Sequence, residues 1–294
     1  MRLCLFSSTP DVTDLGFVVK VLTGNPEELA QRSVEWGYDG IEFMPNPDDV
    51  MNPLEMETAL KRAGAVMPVV NSGRMYLQGM ALLHADGEIR RRSVEAYKRM
   101  VDFAAHFGAR VGLGVARGQA ISVSNPEETE RITHDVFHEL AEYAEKAGAV
   151  IMLEPADPGA TNYINTVGEA MAWVDRIGSP AFTVMLDTYE LAVSEPSIEE
   201  GIRAARGCAT HIHLYDPSRW PPGVLPEGDR LDWKHIARLL REEKFCGSGS
   251  VVLPPEGDPT LPLAKPPATC AGFSLTKLWA NPLSRTLRLG FTRE

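Results

Sequence analysis

Three residues of types that bind metal ions each close a short apolar run. Glu154 ends VIMLE (150–154), Asp187 ends FTVMLD (182–187), and His213 lies inside HIHLYD (211–216). Two carboxylates and one imidazole favour a hard or borderline divalent ion such as Mn, Mg or Co over a thiolate-bound zinc. Taken singly, each residue also has an ordinary structural reading: Glu154 as a salt-bridged strand end, Asp187 as a helix N-cap, His213 as a satisfied buried histidine. Together, in register at successive strand ends of a parallel α/β protein, they form a metal-site pattern.

The elements that must position them recur along the chain. Eight apolar runs stand out: Leu3–Ser7, Gly40–Phe43, Val66–Asn71, Arg110–Gly114, Val150–Glu154, Phe182–Asp187, Thr210–Leu214 and Ser250–Leu253. Their starts lie roughly 25 to 45 residues apart, the span of a strand, a crossover helix and two connections. Near-continuous Val/Ile/Leu runs indicate strands buried on both faces of a parallel sheet. Helices are expected between them. Asn25-Pro26-Glu27-Glu28 and Asn125-Pro126-Glu127-Glu128 carry cap, proline and first-turn acids, and Gly37 and Gly148 stop the helices they open. Further helices are expected over 86–108, 166–177, 197–206 and 232–244. Eight strands alternating with helices predict a single (βα)8 TIM barrel over 1–258. A doubly wound sheet is the alternative, but GLGVARG (112–118) follows the fourth strand and lacks dinucleotide-fingerprint spacing. Residues 259–294, with Pro262, Pro266, Pro267 and Pro282, five basic residues and only Glu294 acidic, read as an atypical C-terminal segment.

The 294 residues suit one large domain, and 44% hydrophobic residues suffice for a sizeable core. A net charge of -11 argues against nucleic acid as a partner. Cys4, Cys208, Cys246 and Cys270 are scattered without a CxxC pair. Cys4 and Cys208 sit in apolar runs and read as buried reduced thiols. The N-terminal apolar stretch is too short for a signal sequence, and no run is long enough to span a membrane. A cytoplasmic protein with no membrane partner is expected.

The segments GYDGIEF (37–43), IMLEP (151–155), NYINT (162–166), MLDTYE (185–190), HIHLYDPSR (211–219) and LDWKHIARLL (231–240) resemble the xylose isomerase-like barrel superfamily. Within it they are most similar to the sugar epimerase/isomerase branch, which includes D-tagatose and D-psicose 3-epimerases and hydroxypyruvate isomerase. LDT…HIHLYD is the most specific of these features. The resemblance implies one divalent metal ion held by Glu154, Asp187, His213 and a fourth carboxylate after the eighth strand. It also implies a carbohydrate substrate and proton transfer next to a carbonyl through an enediolate, with a carboxylate on each face of the carbon. Glu154 would serve one face.

Two positions depart from the family pattern. After VVL the expected glutamate is displaced by Pro254 and Pro255, and Glu256 follows. Positions 254 and 256 share a strand face about 6–7 Å apart, so Glu256 is read as the fourth ligand and second acid/base, with a loop carboxylate as the other reading. Glu190 stands three residues past Asp187, where related epimerases carry a substrate-contacting histidine; it is read as a substrate contact for a different hydroxyl pattern, with a second-cation ligand or a solvent-facing side chain as the other readings. Arg219 occupies the spacing of their sugar-contacting arginine, with a solvated loop arginine as the alternative.

Other residues are placed by the barrel reading. Glu42 at the end of the second strand is expected to orient substrate or a ligand, or to form an ion pair in the barrel mouth. Asn71, Arg74 and Arg117 end strands three and four and are expected to face substrate hydroxyls. His211 is expected to point away from His213 toward the helices, as a core or supporting histidine. Phe6, Met44, Tyr76 and Trp220 are candidate apolar walls, and Asn162 or Asn165 a candidate substrate contact. The leading reading is a metal-dependent sugar isomerase or epimerase, with an inosose dehydratase-like lyase and a non-catalytic sugar-binding barrel as alternatives. An endonuclease-IV-like enzyme would need more strand-end histidines than these seven supply. A homo-oligomer is possible in this family.

Overall fold

A computed structural model describes residues 1–12, 20–121, 125–218, 220, 222 and 228–253. Arg219, Glu256, Cys270 and the segment 259–294 lie outside the described residues. The elements in chain order are β1 (Arg2–Ser8), β2 (Leu22–Thr23), α1 (Pro26–Glu35), β3 (Gly40–Met44), α2 (Pro53–Ala63), β4 (Val66–Asn71), α3 (Gly73–Leu77), α4 (Gly87–His106) and β5 (Arg110–Leu113). They continue with α5 (Pro126–Ala147), β6 (Val150–Leu153), α6 (Val167–Ile177), β7 (Phe182–Asp187), α7 (Thr188–Ser194), α8 (Ile198–Ala204), β8 (Ala209–Leu214), α9 (Trp233–Glu242) and β9 (Ser248–Val251).

Eight strands pair in the order β1-β3-β4-β5-β6-β7-β8-β9, all parallel, and β1 pairs with β9 to close the ring. This is a TIM barrel, as the strand runs predict. The short β2 is not a barrel stave. It pairs with Ser7 and Ser8 at the top of β1, beyond the point where β9 stops pairing at Leu5.

The helices start and stop where the chain supplies the chemistry. Asn25 and Glu28 form a reciprocal capping box on α1, and Thr166 and Glu169 form one on α6. The α5 helix begins at Pro126 and ends at the left-handed Gly148. The α2 helix carries the same signals, with Asn52 as cap, Pro53 at the first position and left-handed Gly64 at the end, yet it is missing from the sequence-based set. At the β3–β4 irregularity the backbones approach so closely that a Cβ on Gly40 would lie 1.8 Å from the Val66 carbonyl oxygen. Only glycine fits there.

The barrel interior is filled in two layers. Val69, Met152 and Met185 form an apolar plug, with buried Cys4 on β1. Beside and above the plug sits a layer rich in polar side chains from β3, β8 and β9, including Glu42, His211, Ser248 and Ser250, all buried. A plugged barrel with polar residues above the plug directs chemistry to the C-terminal rim. Of the described cysteines, Cys4 is buried as expected, Cys208 is only half-buried and Cys246 is exposed, and all three are free thiols. Among the described residues no helix is long and apolar enough to cross a membrane.

Candidate functional site

The ends of β6, β7 and β8 bring the three ligand-type residues together. Glu154 directly follows β6, and its N–H still donates to the Leu113 carbonyl at 3.0 Å, which continues the ladder one residue past the strand. Asp187 is both the last residue of β7 and the N-cap of α7. Its Oδ1 accepts from the N–H groups of Tyr189 and Glu190, and its Oδ2 is left for the site. The ordinary N-cap reading and the ligand reading therefore coexist on different oxygens. His213 lies directly across from Asp187 in the β7–β8 ladder. Its Nδ1 is 2.9 Å from Glu154 Oε1 and 3.3 Å from Asp187 Oδ2. These ligand atoms are close enough to hold one cation.

Neighbouring groups fix this arrangement. A Cβ on Gly114 would lie 2.4 Å from Glu154 Oε2, so the carboxylate occupies space that only a glycine leaves open. Arg117 is completely buried and makes no ion pair among the described residues. Its guanidinium donates instead to the carbonyls of Gly114, Glu154, Tyr163 and Ile164 at 2.7–3.0 Å. It thereby ties the turn after β5 to the loop that carries Glu154. Burial lowers its pKa to about 10 against the pull of Glu154 and Glu190. Phe6 stacks on the His213 ring at 5.8 Å. Tyr215 donates its hydroxyl to Asp187 Oδ2 at 2.7 Å.

The electrostatics are those of carboxylates crowded into a dry site. In the metal-free protein, burial raises the Glu154 carboxyl, and Asp187 and Glu42 push the same way against His213. Burial opposes the charged form of His213, but Glu42, Glu154 and Asp187 outweigh it and hold the imidazole protonated well above its usual range. Glu190, in the first turn of α7, is pushed up to about 9, by burial first and by Asp187 and Glu154 next. Among the described residues its buried Oε2 has no hydrogen-bond partner.

A cleft of ≈ 740 Å³, counting the space at its open mouth, lies over these groups. Its walls include Phe6, Val115, Ala160, Glu190, Tyr215 and Val252, with Glu154, Asp187 and His213 on its floor. This size and mix of apolar wall and polar floor suit a small ligand. Asn71 lines the cleft too, with its Nδ2 donating to Glu42 Oε1 at 2.7 Å and its Oδ1 accepting from Gly73 N–H.

Several expectations need correction. Glu42 is not a substrate contact: it is 0% exposed, its two oxygens are taken by His211, His213 and Asn71, and it does not reach the cleft. The ion-pair reading left open for it is the one observed. His211 does not face the helices. Residues two apart on a strand share a face, so His211 points into the barrel below His213, its ring 5.4 Å from that of His213. Arg74 is engaged with Asp11 and Thr9 and Arg117 with carbonyls, so both guanidinium groups are tied to the protein. Asn162 and Asn165 brace their own loop through Ala120 N–H and the Ala156 and Thr161 carbonyls. Tyr215 escaped the sequence reading although the 211–213–215 alternation points to it. Gly114 gave no signal at all, because its role depends on a side chain forty residues away.

Comparison with known proteins adds three findings. A model of the xylose isomerase-like TIM barrel family matches residues 30–268. A D-psicose 3-epimerase of Ruminiclostridium cellulolyticum is 30% identical over 76% of this chain and 76% of its own length, and a probable ketose 3-epimerase of Synechocystis is 22% identical over 78% of each. A crystal structure of D-psicose 3-epimerase with D-tagatose from Clostridium cellulolyticum superposes with a TM-score of 0.67 at 18% identity, covering 85% of this chain and 84% of that one.

Proposed function

We propose that this chain, which belongs to the xylose isomerase-like TIM barrel family, is a divalent-metal-dependent epimerase of ketoses or closely related sugars. The observation that carries the reading is the convergence of Glu154 Oε1, Asp187 Oδ2 and His213 Nδ1 on one point of the cleft floor. The donor set fits a hard or borderline divalent ion, for which Mn, Mg and Co are the candidates. The relatives named as ketose and D-psicose 3-epimerases supply the substrate class.

The ion, when bound, would polarise a substrate carbonyl and stabilise the negative charge that develops on its oxygen. The remaining work falls to the chain. Glu154 removes the proton from the carbon next to the carbonyl. The enediolate is then reprotonated from the opposite face. We assign that step, and the fourth ligand position, to Glu256. In sequence it shares the alternation of Ser248, Ser250 and Val252, and Ser248 and Val252 face the barrel interior and the cleft. Glu190 is assigned to a substrate hydroxyl, since its Oε2 is buried in the cleft wall without a partner. Arg219 is assigned to the substrate from its spacing after His213, and Asn71 lines the cleft. Phe6, Tyr215 and Val252 give the open-chain sugar an apolar surface and exclude water from the carbanionic carbon. The free thiols at Cys4, Cys208 and Cys246 support a cytoplasmic setting.

The test is incubation of the purified chain with free ketoses, with Mn2+ and after EDTA treatment, and chromatography of the products. Conversion of a ketose to its 3-epimer only with metal is the expected result. Loss of water from the sugar would indicate the lyase instead, and binding without turnover a sugar-binding barrel.

A further inference from the structure

Under the cleft floor runs a chain of buried hydrogen bonds that meets the cleft at His213 and Asn71. The Glu42 carboxylate on β3 lies 3.0 and 3.1 Å from His213 Nε2 and 2.9 Å from His211 Nε2. Its Oε1 also accepts from Asn71 Nδ2 at 2.7 Å. On the far side, His211 Nδ1 is 2.8 Å from the Ser248 hydroxyl on β9. Glu42 and His211 are 0% exposed and Ser248 is 4% exposed.

The hydrogens in this chain follow from its chemistry. An ionised carboxylate only accepts, so both Nε2 atoms donate to Glu42. His211 Nδ1 then accepts from the Ser248 hydroxyl, and every polar atom of the set has a partner. For His213 this leaves Nδ1 as the nitrogen that faces Glu154 and Asp187. Turning the ring over would put a carbon against Glu42 and leave Oε1 with only Asn71 and Oε2 with only His211, and losing a hydrogen bond to a buried charged group costs about 1.5–3 kcal/mol.

We propose that Glu42, His211 and Ser248 act as a positioning relay. It fixes the ring orientation of His213 so that Nδ1 is presented to the metal, and it sets how tightly the metal is held. The inference rests on the metal-centre reading above and adds three residues that touch neither ion nor substrate. Carboxylates behind ligating histidines act in this way generally. The same geometry allows a competing arrangement, since Glu42, His211 and His213 are themselves close enough to hold a cation. The complete pairing of their polar atoms by protein donors favours the relay.

The experiment is titration of the full chain and its Glu42→Gln and Ser248→Ala variants with Mn2+, with the free ion followed by electron paramagnetic resonance. Circular dichroism of the metal-free proteins checks the fold. The expected result is one Mn2+ per wild-type chain, an affinity about 10- to 100-fold weaker in Glu42→Gln, and a smaller loss in Ser248→Ala, which keeps the packing. In the Co2+-loaded wild type, the shifted imidazole N–H proton of His213 should exchange slowly with D2O, and faster in both variants. A merely structural role would not move that signal. Wild-type affinity and an unchanged N–H signal in folded Glu42→Gln would overturn the relay. Two Mn2+ per wild-type chain, falling to one in Glu42→Gln, would overturn it in favour of a second ion. No Mn2+ on the wild type would instead overturn the metal centre beneath it.

Discussion

Gly114→Ala separates function from stability more sharply than any other single change in this site. The added Cβ would sit 2.4 Å from Glu154 Oε2, whereas ordinary van der Waals contact begins near 3.4 Å. The Glu154 Cδ and Cβ atoms lie at 3.5 and 3.8 Å and need not move. The carboxylate must therefore swing by about 1 Å while the backbone stays where it is. Overpacking costs about 1–3 kcal/mol, and because the displaced atom is the far end of a side chain the folding cost should lie at the low end of that range. The functional cost should be large, since a misplacement of about 1 Å in a reacting group can cost 10²-fold in rate. The same swing carries Oε1 off its position 2.9 Å from His213 Nδ1, so Mn2+ affinity should fall along with turnover. The assay is a paired measurement of urea midpoint and Mn2+-dependent ketose turnover in the variant and the wild type. Near-normal stability with about 10²-fold lower turnover is expected. Wild-type turnover in Gly114→Ala would show that the Glu154 carboxylate is not held where the chemistry needs it.

Three further outcomes follow from the same geometry. Glu154→Gln should keep the fold but lower solvent proton exchange into ketose by about 10²- to 10⁴-fold; exchange at the wild-type rate would refute the base assignment. Glu190→Gln should stabilise the metal-free protein at pH 8 by about 2 kcal/mol or more while changing little near pH 4. Between its ordinary 4.5 and its folded value of about 9, the folded state keeps a proton that the unfolded state releases, so stability falls as pH rises through that window; thermal melts that coincide at pH 8 would contradict this. Arg117→Met should lower the urea-unfolding free energy by about 1–3 kcal/mol, because it takes the guanidinium from the Glu154 carbonyl, while those of Gly114, Tyr163 and Ile164 keep a second donor; an unchanged midpoint would show that water replaces the guanidinium.

The barrel was legible because strands buried on both faces must be continuously apolar, and each of the eight apolar runs coincides with a barrel strand to within two residues. The meeting of Glu154, Asp187 and His213 was legible for a related reason: strand ends of a closed parallel barrel converge whatever the loops do. What lay underneath was harder to read. His211 was misplaced by setting aside the two-residue period of its own strand, and with it went the link to Glu42. That link joins residues 169 apart in sequence, and only closure of the ring brings β3 and β8 side chains together at its centre. Arg117 and Arg74 carry charges that suggest substrate contacts, but their partners are carbonyls and an aspartate 63 residues away, which no spacing rule encodes. The Gly114 requirement likewise exists only once Glu154 is folded against it.

The central claim is that Glu154, Asp187 and His213 hold an ion that makes the carbon next to a ketose carbonyl acidic. Its most direct test is proton exchange. The Mn2+-loaded chain is incubated with D-psicose in D2O, and the recovered sugar is examined by NMR for deuterium at C3. Deuterium that accumulates with Mn2+ and is absent after EDTA treatment is the predicted result. A chain that binds Mn2+ and the ketose but leaves the C3 proton in place would contradict the account.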